Sequence, residues 1–179
     1  MKCKENAMKK STRRIAILVE ELYQVLEIWY PWLRLKEEKF EVTLIGSGSK
    51  DTYGSKEGYP CKVDCSIDQV KTSDFDAVII PGGFAPDFMR RKPQMARFVK
   101  AIHDEGKVVA SICHGGWMLV SAGILKGRKA TSFFAIKDDL IAAGANWVDE
   151  EVVVDKNLIT SRKPEDLTAF VVEIIKKLK

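Results

Sequence analysis

Apolar runs that do not alternate with polar residues constrain this chain most. Residues 15–19 (I-A-I-L-V), 76–80 (D-A-V-I-I) and 107–112 (K-V-V-A-S-I) each read as a strand with no side left for water. A strand covered on both faces belongs in a parallel sheet between helical layers. The intervening segments fit: residues 23–38 and 86–105 carry apolar positions at helical spacing, and 40–45 reads as a second strand. Right-handed crossovers then give an α/β domain, a doubly wound, mostly parallel sheet with helices on both faces, flavodoxin-like in outline. Two stretches interrupt the alternation. Residues 46–66, rich in Gly, Ser, Lys and Asp, read as a hairpin excursion, and 152–155 with 158–161 flank Lys156-Asn157 as a second hairpin. Pro164, followed by Glu165 and Asp166, opens a final helix that ends in lysines, matching the helix dipole at both ends.

In such a sheet, sites lie beyond the carboxyl ends of the strands. The segments after Val19, at Gly82-Gly83 and at Cys113 are therefore expected to meet in space. Residues 108–123 (V-V-A-S-I-C-H-G-G-W-M-L-V-S-A-G) place Cys113 on a strand-to-helix hinge, followed by His114 and two glycines. This is the pattern of a nucleophile elbow, with the free N–H groups of the next helix favouring a thiolate. The alternative, an inert buried cysteine, suits the hinge less well. His114 is a candidate base or a residue that merely caps the site. The N–H groups of Gly83 and His114 are candidate oxyanion-hole donors. His103, near a helix end, reads as a positive charge that suits the dipole. No histidine follows His114, which excludes an amidotransferase triad needing His and Glu well downstream of the cysteine.

Composition narrows the function classes. The chain has 179 residues, 46% apolar and 30% charged, as expected of one globular domain. No apolar run is long enough to span a membrane and the N-terminus lacks a signal-peptide core, so the expected location is cytoplasmic. Its net charge of +4 comes from the first fourteen residues, which hold six basic side chains and one acid, leaving 23 basic and 24 acidic residues elsewhere. Residues 1–13 are thus expected to be a basic, disordered tail and 14–179 a single domain, with neither nucleic-acid nor membrane partners. Four irregularly spaced cysteines do not form a disulfide framework, and Cys61 with Cys65 lacks a second ligand pair, so neither a metal nor another cofactor is expected.

Several blocks in order carry a more specific signal: Y-P-W-L-R-L-K-E-E (30–38), P-G-G-F-A-P-D (81–87), S-I-C-H-G (111–115), S-A-G-I-L-K-G-R-K-A-T-S (121–132), I-K-D-D (136–139) and E-V-V-V-D (151–155). Through these the chain resembles the ThiJ/PfpI family, and closely its PfpI-type intracellular proteases, from Arg14 to Lys179. The resemblance implies a flavodoxin-like fold, homodimers that assemble into hexamers, and a Cys-His site near a subunit interface. It also implies that Asp87, supplied by a neighbouring subunit, orients the histidine, although an acid at that position also suits a helix N-terminus. Members are described as peptidases, glyoxalases or deglycases acting on methylglyoxal adducts, all with a thiolate attacking an electrophilic carbon.

Three departures from the family pattern bear on chemistry. Aligned without gaps on Tyr30-Pro31, the glutamate that hydrogen-bonds the cysteine falls on Gln24, while Glu27 matches a second acid that helical spacing turns elsewhere. Phe133 stands where tyrosine is common, and Gly116 where proline is. The expectation is an acidic Cys113 whose proton-transfer steps are slowed by an amide at position 24. The leading reading is a cysteine-dependent hydrolase or lyase acting on peptides, small carbonyl compounds or their adducts, in stress protection. The rival is a redox-sensing stress protein with a reactive Cys113 and little turnover.

Overall fold

A computed structural model describes residues 12–179; most of the basic segment 1–13 lies outside the described residues. Arg13, assigned to that segment on sequence, anchors the domain instead: its Nε donates to Leu178 O at 2.9 Å and its guanidinium pairs with Asp76.

The elements in chain order are β1 (Arg14–Val19), α1 (Val25–Glu37), β2 (Glu41–Gly46), β3 (Thr52–Gly54), β4 (Pro60–Lys62), β5 (Cys65–Ser66), β6 (Ala77–Ile80), α2 (Ala85–Arg90), α3 (Pro93–Asp104), β7 (Val108–Ile112), α4 (Gly116–Ala122), β8 (Lys129–Ala130), α5 (Lys137–Ala142), β9 (Asn146–Trp147), β10 (Val152–Asp155), β11 (Leu158–Ser161) and α6 (Leu167–Leu178). Seven strands form the main sheet in the order β10-β11-β7-β6-β1-β2-β5. All its pairings are parallel except that of the β10–β11 hairpin. The chain winds outward from β1 through β2 to β5, then returns to the other side of β1 for β6, β7 and β11. The reversal falls between β1 and β6, so the crevice beyond their carboxyl ends is where a site belongs.

The apolar runs are buried as their lack of alternation requires. Ile15 to Val19 are completely inaccessible, and so are Ala77 to Ile80. Ile28 and Leu35 of α1 and Phe170 and Ile174 of α6 belong to this core, as do Val99 and Ile102 of α3. Two local results differ from the sequence reading. The helix expected over 86–105 is two helices, because Pro93 cannot donate an N–H and holds Lys92 extended (φ −100°, ψ 98°). Within 46–66 only β3 and β4 form the separate hairpin, while β5 joins the main sheet.

His103 also differs. Its Nε2 lies 2.9 Å from Arg128 Nη1, which can only donate, so the ring nitrogen is an acceptor rather than a cationic cap for α3. Arg128 bonds Asp155 as well, and Asn157 donates from Nδ2 to the carbonyls of His103 (3.0 Å) and Lys107 (2.9 Å). These contacts tie α3, β7 and the β10–β11 hairpin together at the end of the sheet away from the crevice. Replacing Asn157 with alanine removes the side-chain donor from both carbonyls, of which that of His103 keeps the Gly106 N–H at 3.0 Å. Urea unfolding of N157A should show a loss of about 1–3 kcal/mol with an unchanged slope.

Candidate active site

Cys113 leaves β7 with φ +58°, a left-handed conformation that non-glycine residues rarely adopt. A single 3-10 turn over Cys113–Gly115 then leads into α4. The turn sets the sulfur above the end of β7, 8% exposed, with its residue packed against Gly82. A Cβ on Gly82 would sit 2.7 Å from Cys113 Cβ, 2.8 Å from His114 N and 2.9 Å from Glu27 Oε2. Only glycine leaves room for these three groups to converge.

Gly83 is held by a second strand-like contact. Tyr23 bridges it in antiparallel fashion, Phe84 N donates to Leu22 O at 2.9 Å, and Gln24 N to Gly82 O at 3.4 Å. With φ +73° and Leu22 O only 2.4 Å from where a Cβ would lie, position 83 admits no side chain. The clamp aims the Gly83 N–H at the Cys113 sulfur, which also receives the N–H of His114. The two donors assigned on sequence to an oxyanion hole thus converge on the sulfur itself.

The acid beside the sulfur is Glu27, which corrects the sequence reading in both halves. Helix α1 starts at Val25, so Gln24 is its N-cap; its Oε1 accepts the N–H of Glu27 at 3.0 Å and its side chain caps the helix. Glu27 shares the buried side of α1 with Ile28, Pro31 and Leu35 and is wholly inaccessible. Gly82 N donates to its Oε2 at 2.6 Å, and its Oε1 has no conventional hydrogen-bond partner. The Cys113 thiol faces this carboxyl. The ungapped match to a family glutamate pointed to position 24. The signal for position 27 was a carboxylate on the apolar face of α1, one turn before Pro31.

Electrostatics follow from burial. Desolvation raises the Glu27 carboxyl to about 7, against the lowering effect of the Gly82 N–H and the Cys113 thiol. Burial and the Glu27 charge push the Cys113 thiol up to about 12, with the N–H groups of Gly83 and His114 pulling the other way. The expected acidic cysteine is therefore not what this environment gives while Glu27 is ionised. A thiol and a carboxyl in one dry site cannot both be charged.

His114 lies closer to the sulfur than its position next in sequence suggested, with Nδ1 3.4 Å from Sγ. Burial first, then the charge of Lys56, lower its pKa below the ordinary histidine value. Its ring is boxed by aromatics: Phe133 at 5.0 Å and Trp117 edge-on at 5.2 Å between centroids. Phe133 is tied to the hinge, its N–H donating to Cys113 O at 3.3 Å. Asp87, in the first turn of α2, pairs with Arg91 one turn on rather than with His114. Among the described residues no cluster of three or more His, Cys, Asp or Glu could hold a metal, and no helix is long and apolar enough to cross a membrane.

A strained cysteine at a strand-to-helix hinge, with a buried carboxyl and two convergent N–H groups, defines a cysteine-centred α/β protein. The DJ-1/PfpI family profile matches residues 13–177, and this chain belongs to that family. It is 46% identical over 166 residues to "Deglycase PfpI" of Pyrococcus furiosus, covering 93% of this chain and 99% of that protein. It is 42% identical over 160 residues to "General stress protein 18" of Bacillus subtilis, covering 88% and 93%. A two-domain protein of Anabaena variabilis with dj-1/thij/pfpi-like and ferritin-like domains superposes with a TM-score of 0.91 at 43% identity. That match covers 93% of this chain and 48% of the other. Drosophila melanogaster DJ-1beta superposes at 0.87 with 26% identity, over 93% and 90%.

Glu27 makes a prediction about stability. Its pKa is higher folded than unfolded, so the folded state holds the proton more tightly and stability falls as pH rises from about 4.5 to about 7. Above that range the buried charge costs about 3–4 kcal/mol. Glu27→Gln, which retains an acceptor for Gly82, should therefore melt higher than the wild type at pH 8 and about equally at pH 4.5. Equal melting temperatures at both pH values would contradict a buried ionisable carboxyl.

Proposed function

We propose that this chain is a Cys113-dependent deglycase-type hydrolase acting on methylglyoxal adducts. The observation that carries this reading is the Glu27 carboxyl buried against the Cys113 thiol, opposite the N–H groups of Gly83 and His114. The 46% identity to proteins named deglycases supports it. Glu27 takes the thiol proton, and Sγ adds to the aldehyde carbon freed as the adduct's amine or thiol leaves with the carbinol proton, the C=O electron pair moving to oxygen. Gly83 and His114 N–H stabilise first the thiolate and then the adjacent oxyanion. Glu27 returns its proton to that oxygen. A proton then shifts from that carbon to the neighbouring ketone carbon to leave a Cys113 thioester. One water breaks the C–S bond, so the net reaction consumes one water and releases the free amine or thiol and a 2-hydroxy acid. His114, 3.4 Å from the sulfur, is the second group able to move a proton.

The same reading includes assembly of at least two copies, dimer or hexamer. Asp87 pairs with Arg91 and not with His114 within its own chain, and in this reading it is Asp87 of a second copy that orients His114. Leu22, Leu26, Leu33 and Tyr59 are exposed on and beside α1, an apolar surface that suits burial between copies.

The test incubates purified protein with methylglyoxal-modified N-acetyllysine and N-acetylcysteine, and with casein. Cys113→Ala should lose adduct turnover. Glu27→Gln should lose about 100- to 10,000-fold in kcat, the usual contribution of a positioned acid–base group. Gln24→Glu should change kcat less than twofold, because a carboxylate caps α1 as the amide does. Turnover should rise with pH through about 7, as Glu27 loses its own proton and can accept that of the thiol. No turnover by the wild type, with selective peroxide oxidation of Cys113, would favour the redox-sensor reading.

A further inference from the structure

Lys56 lies in the β3–β4 turn, far in sequence from Cys113, yet the backbone holds that turn against the site. Lys56 N donates to Tyr23 O at 2.9 Å, Leu22 N to Gly54 O at 2.8 Å, and Tyr23 Oη to Tyr59 O at 2.7 Å. Ser55 is bridged to Tyr23, the residue that also bridges Gly83. Ser55 Oγ accepts from the N–H groups of Glu57 (3.1 Å) and Tyr59 (2.9 Å), which stiffens the turn. Residue 56 thus sits one backbone layer from the Gly83 N–H that serves the sulfur.

The cations around the neighbouring strand ends are committed elsewhere. Lys50 pairs with Glu21, Arg91 with Asp87 and Lys92 with Asp68. Lys56 makes no side-chain hydrogen bond or ion pair with any described residue, and it is exposed. Its charge is felt by Glu27 and by His114, which contact the sulfur. Two acids lie near it: Glu57, on the same turn, and Glu21, taken up by Lys50 and the Gly54 N–H. An uncommitted ammonium on a turn held against the Gly83 clamp, its charge reaching Glu27 and His114, fits a carboxylate on the incoming molecule.

We propose that Lys56 is a specificity-determining residue that draws substrates carrying a carboxylate within a side chain's length of the reacting carbon. The proposal rests on Cys113 as the reacting group and, for its second arm, on the deglycase reading. Its first arm needs no turnover. Iodoacetate and iodoacetamide alkylate a thiolate by the same displacement, sulfur bonding to CH2 as iodide leaves, and differ in carrying a carboxylate or a neutral amide. The ratio of their rates at Cys113, followed by mass spectrometry, should fall about two- to fivefold in Lys56→Met, the range of an exposed ion pair. Lys56→Arg should keep the wild-type ratio, Lys56→Glu should lower it further, and about 0.5 M salt should bring the wild type toward Lys56→Met.

The second arm compares the methylglyoxal hemithioacetals of N-acetylcysteine and of N-acetylcysteine amide. The wild type should favour the anionic one by a similar factor, mainly in KM, and Lys56→Met should not. An alkylation ratio unchanged by Lys56→Met would overturn the proposal whatever the turnover. A shifted ratio with no turnover of either hemithioacetal would keep the carboxylate reading of Lys56 and reject the deglycase activity instead.

Discussion

The carboxyl of Glu27 and the sulfur of Cys113 face each other in a dry pocket, and much of the surrounding structure serves that contact. Burial raises both groups, so near neutral pH Glu27 is the one that loses its proton, and its charge then holds the Cys113 thiol protonated. An isolated buried carboxylate would be costly. Here the Gly82 N–H at 2.6 Å offsets part of that cost. Near neutral pH the site's charge therefore resides on the carboxyl rather than on the sulfur.

Keeping that contact in register requires three chain segments that are remote in sequence. The hinge after β7 supplies the sulfur and the His114 N–H, at the expense of a left-handed cysteine. The turn after β6 supplies Gly82 and Gly83. The segment after β1 supplies Glu27 and, through Leu22 and Tyr23, the backbone contacts that orient Gly83. Leu22, like Cys113, has positive φ (+61°), so strained residues stand on both sides of the clamp. The β3–β4 excursion braces Leu22 and Tyr23 from outside. A surface hairpin thereby helps to set the position of an N–H group at the sulfur.

The stability expected of Glu27→Gln expresses the same balance. A site that must ionise a buried group gives up folding free energy to do so, a common cost of function. His114 shows a milder version: burial and a nearby cation hold it below the ordinary histidine pKa, leaving a ring nitrogen able to accept a proton. Phe133, where a tyrosine hydroxyl is common in the family, supplies a ring stacked near that histidine and no donor. The site's polar chemistry then rests on Glu27, His114 and backbone N–H groups.

The sequence by itself determined the parallel sheet, the order of its elements and the cysteine hinge, because unalternating apolar runs and glycine turns are local patterns with few solutions. It also placed Gly83 and His114 beside Cys113, since both follow the ends of adjacent strands. Tertiary structure decided which acid meets the sulfur. That choice depends on the residue at which α1 begins: with Gln24 as the cap, Glu27 rotates onto the buried face, and a one-residue change in phase would turn it by about 100°. It also decided that His103 accepts from Arg128 rather than capping its helix, and that the turn carrying Lys56 packs against the Tyr23–Gly83 clamp. These contacts join residues 25 to 86 positions apart, and only the packed sheet brings them together.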